Sequence, residues 1–221
     1  MPPAPVPAPA ARPVATRDIV STLVLLAVAV GWTLSLAHSQ ETLNVQAPRP
    51  PLFDRLHAVL PELHHLRWLV HAMPVILAAI AIWQLPPLLT LNLFTIYAVT
   101  LLLRGAAFWL TRLPPPRRRC APYSVGGVYL GGCSDMMYSG HTSLLVLATL
   151  FIVTYTGHTG LSVLAVIFAA LGLLLLLMTR HHYSADVLVG LYICCLAFLA
   201  FRLRSRCSVP RTCRSLFVLQ F

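Results

Sequence analysis

Past position 62 the 221-residue chain contains only two carboxylates, Asp135 and Asp186, and each stands close to histidines. The two stretches read Cys133-Ser134-Asp135-Met136-Met137-Tyr138-Ser139-Gly140-His141-Thr142 and His181-His182-Tyr183-Ser184-Ala185-Asp186-Val187. His182 and Asp186 are four apart, a spacing that on a helix puts them on one face with adjacent side chains. An aspartate beside an imidazole accepts its N–H, fixes the tautomer and stabilises the cation that forms when the other ring nitrogen reacts. Two histidines and one such aspartate suit transfer of a phosphoryl-type group with no metal and no cofactor. One histidine attacks phosphorus and carries a covalent phosphohistidine, and the other protonates the leaving alkoxide. An unperturbed imidazole pKa of about 6.5 lets the same residue type serve as nucleophile or proton donor near neutrality.

The elements that must carry these groups are set by hydrophobicity. The chain is 58% hydrophobic and 10% charged, against roughly 45–50% and 25% in soluble domains. Its apolar residues fall into runs near the roughly 20 residues that a membrane-crossing helix needs. Ile19–Ala37 and Leu161–Met178 hold no charged residue or histidine. Leu69–Leu85 carries only His71, Leu88–Leu110 only Arg104, and Tyr138–Thr156 only His141, while Tyr183–Leu203 carries Asp186 and Arg202. These runs predict an all-α, polytopic membrane protein of six helices in one bundle, with Gln84-Leu85-Pro86-Pro87 as the turn between the second and third. His141 opens the fourth span and His182 the sixth, 41 positions later. That interval is one helix out, a tight turn at Gly157-His158-Thr159-Gly160, and one helix back. Both histidines are therefore expected at the same bilayer surface. His158 belongs to the opposite surface, and His38, His57, His64, His65 and His71 read as interfacial.

The formal charge of +10 comes from arginine alone, because the chain has no lysine. Arg12 and Arg17 precede the first span, and Arg202, Arg204, Arg206, Arg211 and Arg214 flank the last, which argues for cytoplasmic termini facing anionic lipid rather than nucleic acid. The loop of residues 111–137 then lies outside although it holds Arg112, Arg117, Arg118 and Arg119. Either the chain ends set the orientation and the loop is tolerated, or its arginines attract phosphate headgroups. The six cysteines have no metal spacing. Cys120 and Cys133 share the outer loop and fit either a disulfide or two free thiols, while Cys194 and Cys195 read as packing residues. The expected organisation is a disordered Pro/Ala-rich cytoplasmic tail over 1–18, a membrane catalytic domain over 19–203, and a basic cytoplasmic tail over 204–221.

The stretch Cys133-Ser134-Asp135-x-x-Tyr138-Ser139-Gly140-His141-Thr142 resembles the sphingomyelin synthase signature C-G-D-x-x-[FY]-S-G-H-T, and His182-Tyr183-Ser184-Ala185-Asp186-Val187 resembles its second signature, H-Y-T-[IV]-D-V. Arg104, followed nine and ten residues later by Leu113-Pro114, is similar to the family's R-x8-L-P. The three motifs cover roughly residues 100–190 in the family's order. This resemblance implies a six-helix fold and transfer of phosphocholine, or a related headgroup, from a glycerophospholipid to ceramide. It implies a catalytic triad of His141, His182 and Asp186 on the lumenal or extracellular side, with His182 as nucleophile and His141 as acid–base group. It also implies headgroup-binding roles for Asp135, Tyr138, Ser139 and Arg104; Arg104 then needs a carboxylate or phosphate partner, unless it snorkels to the interface. The partners implied are membrane lipids, namely ceramide and a glycerophospholipid donor, and a homo-oligomer is compatible with the same reading. Ser134, Ser184 and Ala185 depart mildly from the motifs. The lipid-phosphatase pattern K-x6-R-P and S-R-x5-H is missing, since the chain has no lysine and Leu176 stands six before His182, with Arg180 the nearest arginine.

Alternatives within this chemistry are an inositol- or ethanolamine-phosphoceramide synthase, a phosphatidylcholine:diacylglycerol cholinephosphotransferase and a lipid phosphatase. A non-catalytic lipid-binding membrane protein is the alternative from another class, and the intact triad argues against it. A ceramide-using enzyme with an outward site is expected in the Golgi membrane or the plasma membrane.

Overall fold

Each apolar run becomes a helix because a backbone in lipid has only its own carbonyls to bond to. A computed structural model of the chain describes residues 14–46, 50–111, 113–116, 123–125, 128–131 and 136–207. The long helices are α1 (Thr16–Gln46), α3 (Arg67–Gln84), α4 (Pro87–Leu110), α5 (Gly140–Tyr155), α6 (Thr159–Met178) and α7 (Ser184–Cys207). Between α1 and α3 lie the short helix α2 (Arg55–Val59) and a 3-10 turn at His64–Leu66. Outside the helices, β1 (Tyr123–Val125) and β2 (Val128–Gly131) pair antiparallel as a small hairpin in the loop between α4 and α5. The all-α bundle expected from hydrophobicity is borne out.

Five of the helices, all but α5 among the long ones, are long and apolar enough to cross a bilayer. The remaining expected span, Tyr138–Thr156, fourth in chain order, is realised as a helix of 16 residues. Its shortness goes with its position: α5 packs against α3, α4, α6 and α7, and nine of its residues are buried. A helix enclosed by others does not have to match the hydrocarbon thickness by itself. Large apolar side chains on the outer helices, such as Leu164, Leu171, Leu188 and Leu196, point away from the protein and are suited to lipid. Trp68 at the start of α3, Trp83 at its end and Trp109 at the end of α4 are exposed, as expected of aromatic rings at membrane–water boundaries.

Lipid tails are as apolar as leucine, so close packing and buried polar bonds hold such helices together. Thr33 on α1 bonds the Leu101 carbonyl of α4 at 3.2 Å, and Thr22 meets Thr95 at 3.1 Å. At Gly105 a Cβ would fall 2.5 Å from the Trp32 ring nitrogen, so α1 and α4 approach where only hydrogen fits. Phe151 of α5 packs edge-on to Phe198 and stacks on Phe201 of α7, with centroids 5.3 and 5.5 Å apart.

The turn expected at residues 84–87 is present: α3 ends at Gln84 and α4 begins at Pro87, the first-turn position that proline favours. The turn between α5 and α6 is present too, with Gly157 at φ 69°. Cys194 is buried and Cys195 half-buried, both as free thiols, in keeping with packing roles. α1 begins at Thr16 and α7 runs to Cys207, so both helices reach into the segments read from sequence as tails. Residues 1–13 and 208–221, together with Arg112, Arg117, Arg118, Arg119, Cys120, Cys133 and Asp135, lie outside the described residues.

Candidate active site

The segment ahead of α5 is fixed before the helix starts. The Tyr138 hydroxyl donates to the Thr100 carbonyl, and the Tyr138 carbonyl accepts from Arg104 Nε at 2.8 Å. The Arg104 guanidinium lies 5.2 Å from the centroid of the Phe108 ring. Ser139 then caps α5, its Oγ accepting from the Thr142 amide at 3.2 Å, while its own amide donates to the Asp186 carbonyl at 3.3 Å. His141, in the first turn of α5, is thereby tied both to α4 and to the start of α7. Tyr138 and Ser139 are buried, at 1% and 0% exposure. The Tyr138 hydroxyl is engaged by α4 and the Ser139 hydroxyl by the helix cap, so both side chains hold the segment that carries His141. Arg104 is likewise buried and holds the Tyr138 carbonyl, which excludes the alternative of snorkelling to the interface.

The turn from α6 to α7 presents the second histidine. Arg180 adopts φ 53°, its amide donates to the Leu177 carbonyl at 3.0 Å, and the His181 amide donates to the Leu176 carbonyl at 3.0 Å. These two bonds form a Schellman termination, whose left-handed position is usually glycine. An arginine stands there with its Nη2 on the Leu60 carbonyl at 2.9 Å, a bond that glycine could not make. His182 follows in the turn, ahead of α7. Asp186, the third residue of α7, reaches back to the Tyr183 amide with Oδ2 at 3.1 Å, and the same oxygen lies 3.5 Å from His182 Nδ1. This is half of a capping box. The expectation that the pair shares a helical face is therefore corrected: His182 is outside the helix, and the aspartate meets it by folding back over the helix start. Both are buried, at 2% and 1% exposure. The ring centroids of His141 and His182 are 6.2 Å apart, so the two histidines do meet on one side of the bundle.

The loop between α1 and α3 closes over this turn. Asp54 caps α2 through Oδ1, which accepts from Leu56 and His57 amides at 2.9 and 3.2 Å. Its Oδ2 accepts from the Ser184 amide and hydroxyl at 2.6 and 2.9 Å, so one carboxylate caps α2 and α7 together. Burial works against the ionised form, but the bonds from Ser184 and His57 hold the Asp54 carboxyl below its ordinary value. His57 Nε2 lies 3.0 Å from the His182 carbonyl, so this nitrogen carries the proton, and its ring stacks on Tyr183 at 5.9 Å. Burial pushes His57 below the usual imidazole value; Asp54 opposes the shift and Arg180 adds to it. The Tyr183 hydroxyl accepts from the Leu52 amide at 3.0 Å and donates to the Pro114 carbonyl at 3.1 Å.

Two further histidines complete the site. His71, in the second turn of α3, places Nδ1 3.0 Å from His141 Nε2. His181 has its ring centroid 5.1 Å from that of His71 and 5.2 Å from that of His141. Burial, reinforced by the neighbouring histidines and Arg67, holds His181 well below the usual imidazole value, hence neutral at pH 7. The sequence places His57 and His71 at the interface; tertiary packing instead brings His57 to His182 and His71 to His141. His71 did carry a signal, as the one ionisable side chain inside the Leu69–Leu85 run, and an ionisable group within a span is a functional candidate by default. His57 carried none, lying in the link between α1 and α3, 125 positions from the residue it contacts.

Residues 132–203, which run from just ahead of α5 into α7, match the family model of the PAP2 superfamily C-terminal domain. The chain is also 29% identical over 129 residues to a phosphatidylethanolamine:ceramide ethanolaminephosphotransferase of Trypanosoma brucei brucei, covering 50% of this chain and 39% of that protein. It is 29% identical over 124 residues to phosphatidylcholine:ceramide cholinephosphotransferase 2 of Rattus norvegicus, covering 45% of this chain and 34% of that one, and the Mus musculus protein of the same name matches to the same extent. The chain thus spans 34–39% of the length of these curated relatives. The resemblance carried by the motifs is borne out as a likeness: the PAP2 superfamily C-terminal model matches the region that holds His141 and His182, and these relatives are named as ceramide phosphotransferases.

Proposed function

We propose that the chain transfers a phospho-headgroup from a glycerophospholipid to ceramide, with phosphocholine from phosphatidylcholine as the headgroup and sphingomyelin and diacylglycerol as products. The observation that carries this reading is the buried His182–Asp186 contact of 3.5 Å with the His141 ring 6.2 Å from that of His182. With Nδ1–H turned to Asp186, His182 presents the lone pair of Nε2 to phosphorus. The P–O bond to diacylglycerol breaks as P–N forms, and His141 protonates the departing oxygen. In the second half His141 takes the proton of the ceramide primary hydroxyl, whose oxygen attacks phosphorus and releases His182. The contact at His182 is longer than a full hydrogen bond, as such contacts often are before substrate closes the site.

His71 fixes the tautomer of His141 through their shared hydrogen bond. Arg180 Nη1 is buried and has no hydrogen-bond partner among the described residues, which makes it a donor for phosphate oxygens. Asp135 is assigned to the headgroup, and Arg104, Tyr138 and Ser139 to holding His141. The working location is the Golgi or plasma membrane with the site facing outward and both termini cytoplasmic. The relative from Trypanosoma brucei brucei favours a second reading, in which phosphoethanolamine is the headgroup.

The test is expression in membranes that lack sphingomyelin synthesis, supplied with fluorescent ceramide, followed by separation of choline, ethanolamine and inositol products. Product should vanish in His182→Ala and persist in His158→Ala, because His158 lies exposed at the far end of α6. Equal activity in both variants would sink the site. Release of free phospho-headgroup without a ceramide product would replace transfer by hydrolysis.

A further inference from the structure

Three of the site's histidines come from three separate segments, His71 from α3, His141 from α5 and His181 from the turn between α6 and α7. One ring nitrogen from each lies within 4.8 Å of the other two. The three ring centroids form a nearly equilateral triangle with sides of 4.9, 5.1 and 5.2 Å, and the rings meet steeply, at 62°, 85° and 89°. A tetrahedral zinc ion, with Zn–N near 2.0–2.1 Å, sets its nitrogen donors about 3.3 Å apart. His71 Nδ1 and His141 Nε2 already stand at 3.0 Å, so small side-chain rotations complete the trio. All three residues are part-buried, which leaves a path for an ion and room for a fourth ligand such as water. Three imidazoles without a carboxylate select zinc-class ions over magnesium or calcium.

We propose that His71, His141 and His181 bind one divalent transition-metal ion of the zinc class, and that the bound ion shuts off headgroup transfer. Coordination through Nε2 holds the His141 ring on the ion, so the imidazole no longer gains and loses a proton as the transfer requires. The ring now donating in the His71–His141 hydrogen bond carries its proton on its other nitrogen instead, so three neutral ligands face the ion. Only the shut-off rests on the function proposed above; the binding site does not. The ion is an inhibitor here, so the expectation of a transfer step without metal is kept.

The experiment uses the full chain purified in lipid nanodiscs and stripped with chelator, titrated with Co²⁺ and then Zn²⁺ alone. One equivalent of Co²⁺ should give the intense visible absorption of a tetrahedral site, displaced by Zn²⁺. His71→Asn and His181→Gln should each weaken binding at least tenfold, with His158→Ala as the unaffected control and circular dichroism confirming that each variant is folded. Absence of the Co²⁺ spectrum, or a spectrum unchanged in both variants, overturns the site. In the transfer assay Zn²⁺ should inhibit the stripped wild-type chain. The concentration for half inhibition should rise at least tenfold in His71→Asn, whatever that variant's residual rate. Undiminished transfer with the site filled overturns the inhibitory role alone. A filled site in a chain that, stripped, transfers no headgroup from any donor supports the metal site, and overturns the proposed function and the inhibitory role with it.

Discussion

Asp186→Asn removes a charge while nearly preserving shape, which makes it the sharpest probe of the proposed chemistry. Both side-chain contacts described for Asp186, to the Tyr183 amide at 3.1 Å and to His182 Nδ1 at 3.5 Å, are made by one oxygen. An asparagine with its carbonyl oxygen in that place can keep the backbone bond, so the start of α7 should survive. The charge that stabilises a developing imidazolium is lost. At 3.5 Å and an effective dielectric constant of about 20, that interaction is worth about 5 kcal/mol, or roughly three orders of magnitude in rate. Some of it returns through the asparagine dipole, so the expected fall in kcat is about 10²–10³. The assay is headgroup transfer to fluorescent ceramide in nanodiscs, with thermal unfolding followed in parallel. A folded Asp186→Asn chain that keeps more than a tenth of wild-type kcat would refute the role of the charge. A chain that loses activity only because it unfolds would instead show that the oxygen's main task is the helix cap.

Other perturbations separate positioning from catalysis. At Gly190 a Cβ would come within 3.2 and 3.3 Å of Thr142 and 3.5 Å of the Ser139 carbonyl. Gly190→Val should push on the start of α5 beside His141, costing about 1–3 kcal/mol of stability and at least tenfold in transfer. Gly31→Val, where nothing lies within 4 Å, is its control, and equal effects in the two would refute the packing argument. Arg180→Gly relieves a left-handed arginine, worth about 1–2 kcal/mol, but removes the bond to Leu60. Global stability should change little, while proteolysis of the loop around Leu60 speeds up; an unchanged cleavage rate counts against the Arg180–Leu60 bond as its anchor. Acid should loosen the same loop where Asp54 and His57 hold it to the start of α7. His57 is held below its unfolded value of about 6.5, so the unfolded state binds more protons and stability falls as pH drops through that value. The lowered Asp54 carboxyl adds a loss only at lower pH, as pH falls through its folded value. Amide exchange at Ser184, corrected for intrinsic rate, should lose protection between pH 7.5 and 5.5, and His57→Gln should flatten the change.

The capping residues illustrate how far local sequence carries. Ser139 three ahead of Thr142 and Asp186 three past Tyr183 are readable as helix-start chemistry, because a cap is made within one turn of chain. The resemblance to family motifs instead suggested that Ser139 and Tyr138 face a headgroup. Their burial against α4 and α7 depends on contacts such as Tyr138 to Thr100, 38 positions away, which no local pattern encodes. The spacing of His182 and Asp186 pointed to the right pair through the wrong geometry, since four residues separate them whether both are helical or one precedes the helix.

What the sequence by itself determined is the solvent and the outline of the site. Six apolar runs must fold as helices in lipid, and the return path from His141 through Gly157 to His182 brings those two residues to one face. Only the tertiary structure decided which other groups join them. His57 reaches His182 from a loop and His71 reaches His141 from another helix, with separations of 125 and 70 positions. Helix periodicity relates residues a few positions apart, whereas which helix lies beside which is settled by side-chain fit across the whole bundle. The cluster of imidazoles around His141 is a product of that fit.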